Sequence, residues 1–206
     1  MVDDIASDPS NPFPGKIFNV ATDKGNPGVD VYAKVQKNYV GMEQVTPENF
    51  LAVITGNASA TSPPGLPVLQ STADDRVFIF FTDHGGSGLI AFPGEYLYAT
   101  DLIAALKQMH DTKMYKKLVF YIEACEAGSM FDGLLDPSWN IYATTASNPA
   151  ESSWGTFCPP EDTVDGVEIN SCLGDLYSVN WMQVSADERP DACCRRAGEF
   201  VPLAVC

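Results

Sequence analysis

The sequence has two histidines, His84 and His110, and only 12 lysines and arginines against 27 acidic side chains. The formal net charge of −15 makes a phosphate backbone or an anionic membrane surface a repulsive partner, so neither nucleic acid nor membrane is expected. It suits work in an acidic compartment, where part of that charge is protonated. No apolar run approaches the roughly 20 residues of a membrane span. The two strongest, Val77–Phe81 and Leu118–Ile122, are of strand length. A leader segment, basic then apolar, is not expected either, because residues 1–14 are acidic and proline-rich. Two distant histidines and no Cys-x-x-Cys give no zinc ligand set, and neither metal nor cofactor is expected. With 45% hydrophobic and 19% charged residues the chain is not disordered, and 206 residues suit one domain with a sizeable core.

Six cysteines stand at 125, 158, 172, 193, 194 and 206. Cys158 and Cys172 bracket a loop containing Pro159, Pro160, Glu161 and Asp162. A disulfide there would close roughly 15 residues and contribute on the order of 3 kcal/mol. The alternative is a reduced pair in a cytosolic protein. The adjacent Cys193-Cys194 is not a metal-ligand spacing.

Residues 1–45 are rich in turn formers, with Lys16–Val20 as a short strand candidate. Thr46-Pro47-Glu48 reads as a helix start, with Thr46 as N-cap and Pro47 at the first helical position. Phe50, Leu51 and Ile54 share a face, and Gly56 ends the helix. Asn57-Ala58-Ser59 is a glycosylation sequon, relevant if the protein is secreted. Val77–Phe81 reads as a strand buried on both faces. The pattern predicts a helix from Asp101 to Lys117, with Leu102, Ile103, Leu106 and Met109 at helical spacing. Leu118–Ile122 and Asn140–Thr145 follow as strands. Strand, helix, strand predicts parallel pairing with a right-handed crossover. Met182 ends the regular part, and residues 183–206 are assigned no element.

Parallel strands share their polarity, so the carboxyl ends of the first two lie on one edge of the sheet, within roughly 10 Å even with one strand between them. Reaction sites of open α/β sheets lie at that edge. Asp83-His84-Gly85-Gly86 follows the first strand, and Glu123-Ala124-Cys125-Glu126 follows the second. A thiol needs a base, and an imidazole is the usual one. A short helix from Glu126 to Leu134 would place its amino end beside Cys125, where a thiolate is favoured. Gly85 and Gly86 let backbone amides approach a developing oxyanion. A lone histidine or cysteine is more often structural, and it is their joint placement that makes a cysteine-nucleophile site. His110, beside Met109 on a helix, reads as a packing or surface residue.

Val77-Phe-Ile-Phe-Phe-Thr-Asp-His-Gly-Gly86 and Val119-Phe-Tyr-Ile-Glu-Ala-Cys-Glu-Ala-Gly-Ser-Met130 resemble the two catalytic blocks of the legumain family, the asparaginyl endopeptidases. The likeness runs from about Asp3-Asp4-Ile5-Ala6 to Leu173-Gly-Asp-Leu-Tyr-Ser-Val-Asn-Trp181. The loop between Cys158 and Cys172 resembles the plant type, the vacuolar processing enzymes. The resemblance implies a caspase-like α/β three-layer sandwich, a mostly parallel central sheet with helices on both faces. It implies cleavage of peptide or protein substrates after Asn, more slowly after Asp, through a thioester, in a vacuole or lysosome. Cys125 would be the nucleophile and His84 the acid/base. The amides of Gly85 and Cys125 would form the oxyanion hole. Glu123 and Asp175 would line the substrate pocket, with Ser153 nearby. Asp83 matches a position that forms a succinimide in some members. Some plant relatives also ligate peptides, and the Gly86-Ser87 and Cys158 regions match positions that bias that choice.

In the family a first strand and helix precede the Asp3-Asp4-Ile5-Ala6 block. That segment carries an Arg-His pair that grips the substrate Asn, and an Asn that orients the catalytic His; neither is expected here. Residues 1–182 therefore read as a partial peptidase domain that alone cleaves very slowly or not at all, with an exposed sheet edge open to self-association. Two alternatives remain. A GPI-transamidase-like enzyme would carry Gly rather than Asp before the His, and Asp-Thr-Cys rather than Glu-Ala-Cys. A truncated pseudo-peptidase would bind partners without turnover.

Overall fold

The computed structural model describes residues 1–22, 27–187 and 200–205. Its strands are β1 Arg76–Thr82, β2 Gly85–Gly86, β3 Leu89–Ala91, β4 Tyr96–Tyr98, β5 Lys117–Glu123, β6 Ile141–Thr145, β7 Gly155–Thr156, β8 Thr163–Val164, β9 Val167–Glu168, β10 Gly174–Asp175 and β11 Phe200–Val205. Its α-helices are α1 Pro47–Ile54, α2 Ala99–Asp111 and α3 Leu176–Asp187.

The central sheet has the order β11-β1-β5-β6, and every pairing in it is parallel. Alternation along the strands sends side chains to opposite faces. On one face Phe50 of α1 stacks against Phe81 of β1 and Phe120 of β5. Val77, Ile79, Leu118 and Ile122 join the same buried cluster with Leu102, Leu106 and Met109 of α2. On the other face Phe78, Phe80 and Tyr121 meet Trp181 of α3 edge-on. The result is a three-layer α/β sandwich with helices on both faces, and continuous apolar strands are what a doubly covered sheet requires.

The start of α1 follows its sequence. The Thr46 side chain accepts the Asn49 amide at 3.2 Å, and Gly56 takes φ +69° after the last turn. Helix α2 ends at Asp111 rather than Lys117. Lys113 turns left-handed (φ 58°), the Lys113 and Met114 amides close back on the last carbonyls, and Lys117 already belongs to β5. Lys16–Val20 forms no strand. Ile17 instead receives the Val31 amide and donates to Asp30.

The end of the chain differs from the expectation of no element. Helix α3 runs past Met182 to Asp187. Phe200–Val205 pairs with β1 over residues 76–81, covering the edge that was expected to lie open. Pro202 hides this strand in the sequence, but an edge strand tolerates a residue that cannot donate a ladder hydrogen bond. Cys193, Cys194 and Cys206 lie outside the described residues. Among the described residues no helix is long and apolar enough to cross a membrane.

Candidate active site

Strands β1 and β5 are direct neighbours, with Thr82 opposite Glu123. Past them the Asp83 amide still donates to the Glu123 carbonyl at 3.2 Å. His84 and Cys125 each lie two residues beyond that last pair, past the carboxyl ends of neighbouring strands. The two strands are thus one strand spacing apart rather than two. His84 is exposed and Cys125 half-buried. The Cys125 Sγ lies 3.7 Å from Ser153 Oγ and 3.9 Å from the Ser153 carbonyl oxygen.

Behind His84 the chain forms a small antiparallel sheet, β2-β3-β4, unforeseen in the sequence. Gly85 sits in β2 with its Cα facing the Cys125 turn. A Cβ there would collide with the Cys125 carbonyl oxygen and lie 2.9 Å from the Ala124 Cβ. Only a glycine lets the two backbones come this close.

The turn after Cys125 is not the helix expected from Glu126 to Leu134. Glu126 takes a left-handed conformation (φ 53°), and only a 3-10 turn, Ala127–Met130, follows. So short an element has no macrodipole to offer a thiolate. Hydrogen bonds hold this turn instead. The buried Ser147 hydroxyl donates to the Ala124 carbonyl at 2.9 Å and accepts the Ala127 amide at 3.1 Å. The Gly128 amide donates to the Ser147 carbonyl, and the Glu126 amide to the Glu151 carbonyl. Nothing in the spacing of Ser147 marks it in the sequence. Its partners become visible only once β6 has brought the 146–151 segment alongside.

Glu123, at the end of β5, is 2% exposed. Its Oε2 accepts the Ser178 amide at 2.9 Å and the Ser178 hydroxyl at 2.8 Å, while its buried Oε1 has no partner among the described residues. Burial pushes this carboxyl up, the Ser178 hydrogen bonds pull it back, and the charge of Asp175 pushes it up further. Asp175 is held in β10, opposite Gly155 of β7, and its Oδ2 accepts the Thr82 hydroxyl at 3.1 Å. Ser153, Asp175 and Glu123 are thus gathered around the end of β1 and β5. Asp83 is half-buried, with its Oδ1 2.6 Å from the His84 amide nitrogen. Burial raises its carboxyl, against the His84 hydrogen bond and charge.

The remaining candidates lie apart. Cys158 and Cys172 are joined by a disulfide, 14 residues apart in sequence. Asn57 is exposed after α1, with the Ser59 hydroxyl on its Oδ1 at 2.7 Å. His110 stacks on Trp139 with centroids 6.0 Å apart, a packing role.

Fold and site together define a class: an α/β sandwich with a cysteine and a histidine past the carboxyl ends of adjacent parallel strands and two carboxylates, Glu123 and Asp175, at the same strand ends. Comparison with known proteins then places the chain. The peptidase C13 family matches over residues 1–196, and the chain belongs to that family. It is 51% identical to a vacuolar-processing enzyme of Citrus sinensis, 50% to a vacuolar-processing enzyme of Vicia sativa and 48% to a legumain of Canavalia ensiformis. Each match covers 186 residues, 90% of this chain. The chain spans 36% of the length of the first two and 38% of the third.

Proposed function

We propose that the chain carries the catalytic machinery of a cysteine endopeptidase that cleaves after Asn and more slowly after Asp, acting in a vacuole. What supports this is that His84 and Cys125 each follow by two residues the last pair of the adjacent strands β1 and β5, near a buried Glu123 oxygen that has no partner among the described residues. His84 takes the proton of the Cys125 thiol as the sulfur bonds to the carbonyl carbon of the substrate. The oxyanion that forms is met by the amides of Gly85 and Cys125. His84 then returns the proton to the leaving amine as the peptide bond breaks, leaving a thioester. Water, giving its proton to His84, then adds to the thioester carbonyl; the carbon–sulfur bond breaks, the carboxyl product leaves and His84 returns the proton to the Cys125 sulfur.

In this reading Glu123 Oε1 and Asp175 accept hydrogen bonds from the side-chain amide of the substrate Asn, with Ser153 beside them. A substrate Asp carboxylate would meet two acidic groups and fit only once protonated, which gives the order of preference and favours Asp cleavage at acid pH. The contact of the Asp83 carboxyl with the next amide nitrogen favours loss of water to a succinimide. Exposed Asn57 is the glycosylation site. Intact mass reads both.

The test is a peptide probe bearing an electrophile at the carbonyl position of Asn, with a Gln probe as control. The Asn probe labels Cys125 in the unmutated chain and not in Cys125→Ala, His84→Ala slows it, and the Gln probe does not react. Equal labelling by both probes, or none, would sink the reading.

A further inference from the structure

Ser129 lies in the 3-10 turn four residues after Cys125. Its hydroxyl accepts the Gly88 amide at 2.8 Å and lies 2.6 Å from the Glu126 carbonyl oxygen, to which it donates. The Gly86 carbonyl is a longer second acceptor at 3.4 Å. Gly88, at φ +73°, turns the hairpin between β2 and β3. That hairpin begins at His84, whose carbonyl accepts the Ala91 amide at 2.9 Å. One half-buried hydroxyl therefore ties the element that starts with the histidine to the turn that starts with the cysteine.

The geometry points to Ser129 as a positioning residue for the dyad, one that sets the distance between His84 and Cys125 without touching the substrate. This rests on the reading of those two residues as acid/base and nucleophile. The Cys125 turn has a separate anchor on its other side, because Ser147 holds Ala124 and Ala127 from the end of β6. The hairpin has no such second side-chain tie to the turn among the described hydrogen bonds. Loss of the Ser129 hydroxyl leaves the cysteine turn its Ser147 anchor, while the hairpin beyond His84 keeps only the Asp83 backbone hydrogen bond and the Gly85 contact to hold it against that turn. It also leaves the Gly88 amide without its partner. Proton transfer needs its two groups within hydrogen-bond reach, and a displacement on the order of 1 Å costs up to about a hundredfold in rate. The pocket residues Glu123, Asp175 and Ser153 stand on β5, β10 and the segment before β7, so substrate recognition is not carried by this tie.

The experiment separates the two. Labelling of Cys125 by the Asn-directed electrophilic peptide is measured against probe concentration, which gives a maximal inactivation rate and a half-saturating concentration. Ser129→Ala is expected to lower the maximal rate about tenfold and to leave the half-saturating concentration within about twofold. Ser129→Thr, which keeps the hydroxyl, restores most of the rate. In the unmutated chain the Gly88 amide exchanges slowly with deuterium, a measurement that stands even if the alanine variant does not fold. An unchanged maximal rate, a change confined to half-saturation, a loss that threonine does not restore, or fast exchange at Gly88 each overturn the inference. No labelling of the unmutated chain overturns the underlying reading as well, so the two failures are distinguishable.

Discussion

Gly85 and Gly86 are adjacent in the sequence but unequal in the structure. A methyl group on Gly85 would run into the Cys125 carbonyl oxygen and the Ala124 side chain, both fixed by the turn. A methyl group on Gly86 would meet the Leu89 side chain at 3.5 Å, an ordinary contact. Gly85→Ala should therefore lower stability by about 1–3 kcal/mol, as overpacking against a fixed backbone does, and should slow Cys125 labelling. Gly86→Ala should stay within about 0.5 kcal/mol of the unmutated chain. Chemical denaturation of the two variants side by side checks this, and equal stabilities would show that the hairpin and turn are not in the contact described. The pair was legible as a place of close backbone approach. Which glycine is indispensable was not, because that depends on the register of β1 against β5.

At the scale of elements, the disulfide between Cys158 and Cys172 ties together the segments that follow β7 and precede β10. Cys172 stands three residues before Asp175, and a Cβ on Gly155 would meet its Sγ at 3.0 Å. Gly155 in turn pairs with Asp175 across β7 and β10. Replacing both cysteines with serine should cost about 3 kcal/mol, lowering the melting temperature by roughly 6–12 °C for a chain of this size. It should also raise the probe concentration needed for half-saturation, since Asp175 loses its support. An unchanged melting temperature would mean that the loop is held by its other contacts. Strands β1 and β5 could be read from the sequence because burial on both faces demands unbroken apolar runs. The start of α1 could be read because Thr46 and Pro47 act within one turn of it. The two-residue and three-residue strands around Gly85 to Tyr98 could not, since too few residues carry any period. The early end of α2 at Asp111 and the 3-10 turn after Cys125 depart from the sequence pattern for a common reason. Each is decided by a left-handed residue that is not glycine, at Lys113 and at Glu126.

Taken whole, the molecule is poised for acid. Asp83 and Glu123 are both raised by burial, so each holds its proton to higher pH in the folded chain than in the unfolded one. Between the unfolded carboxylate range, about pH 4, and the raised folded values, the folded state binds the extra protons. Stability from these groups is thus greatest at the acid end of that window and falls as pH rises through it. The surface carboxylates Asp8, Asp30 and Asp136 are lowered by hydrogen bonds from Ser10, Tyr32 and Ser138. They act in the opposite sense but below the unfolded range, so they limit stability only in stronger acid. Self-repulsion of a chain with a formal charge of −15 at pH 7 adds to the decline towards neutral pH. The melting temperature should therefore peak near about pH 5 and fall towards about pH 8. Glu123→Gln removes one of the two raised groups while keeping a hydrogen-bond acceptor for Ser178, and should flatten the decline. High salt should shrink the repulsive part and leave the Glu123 part in place, because a buried group is screened little. Thermal melts of both proteins across that range, at low and high salt, decide the matter. A melting temperature that climbs steadily from about pH 5 to about pH 8 would contradict it.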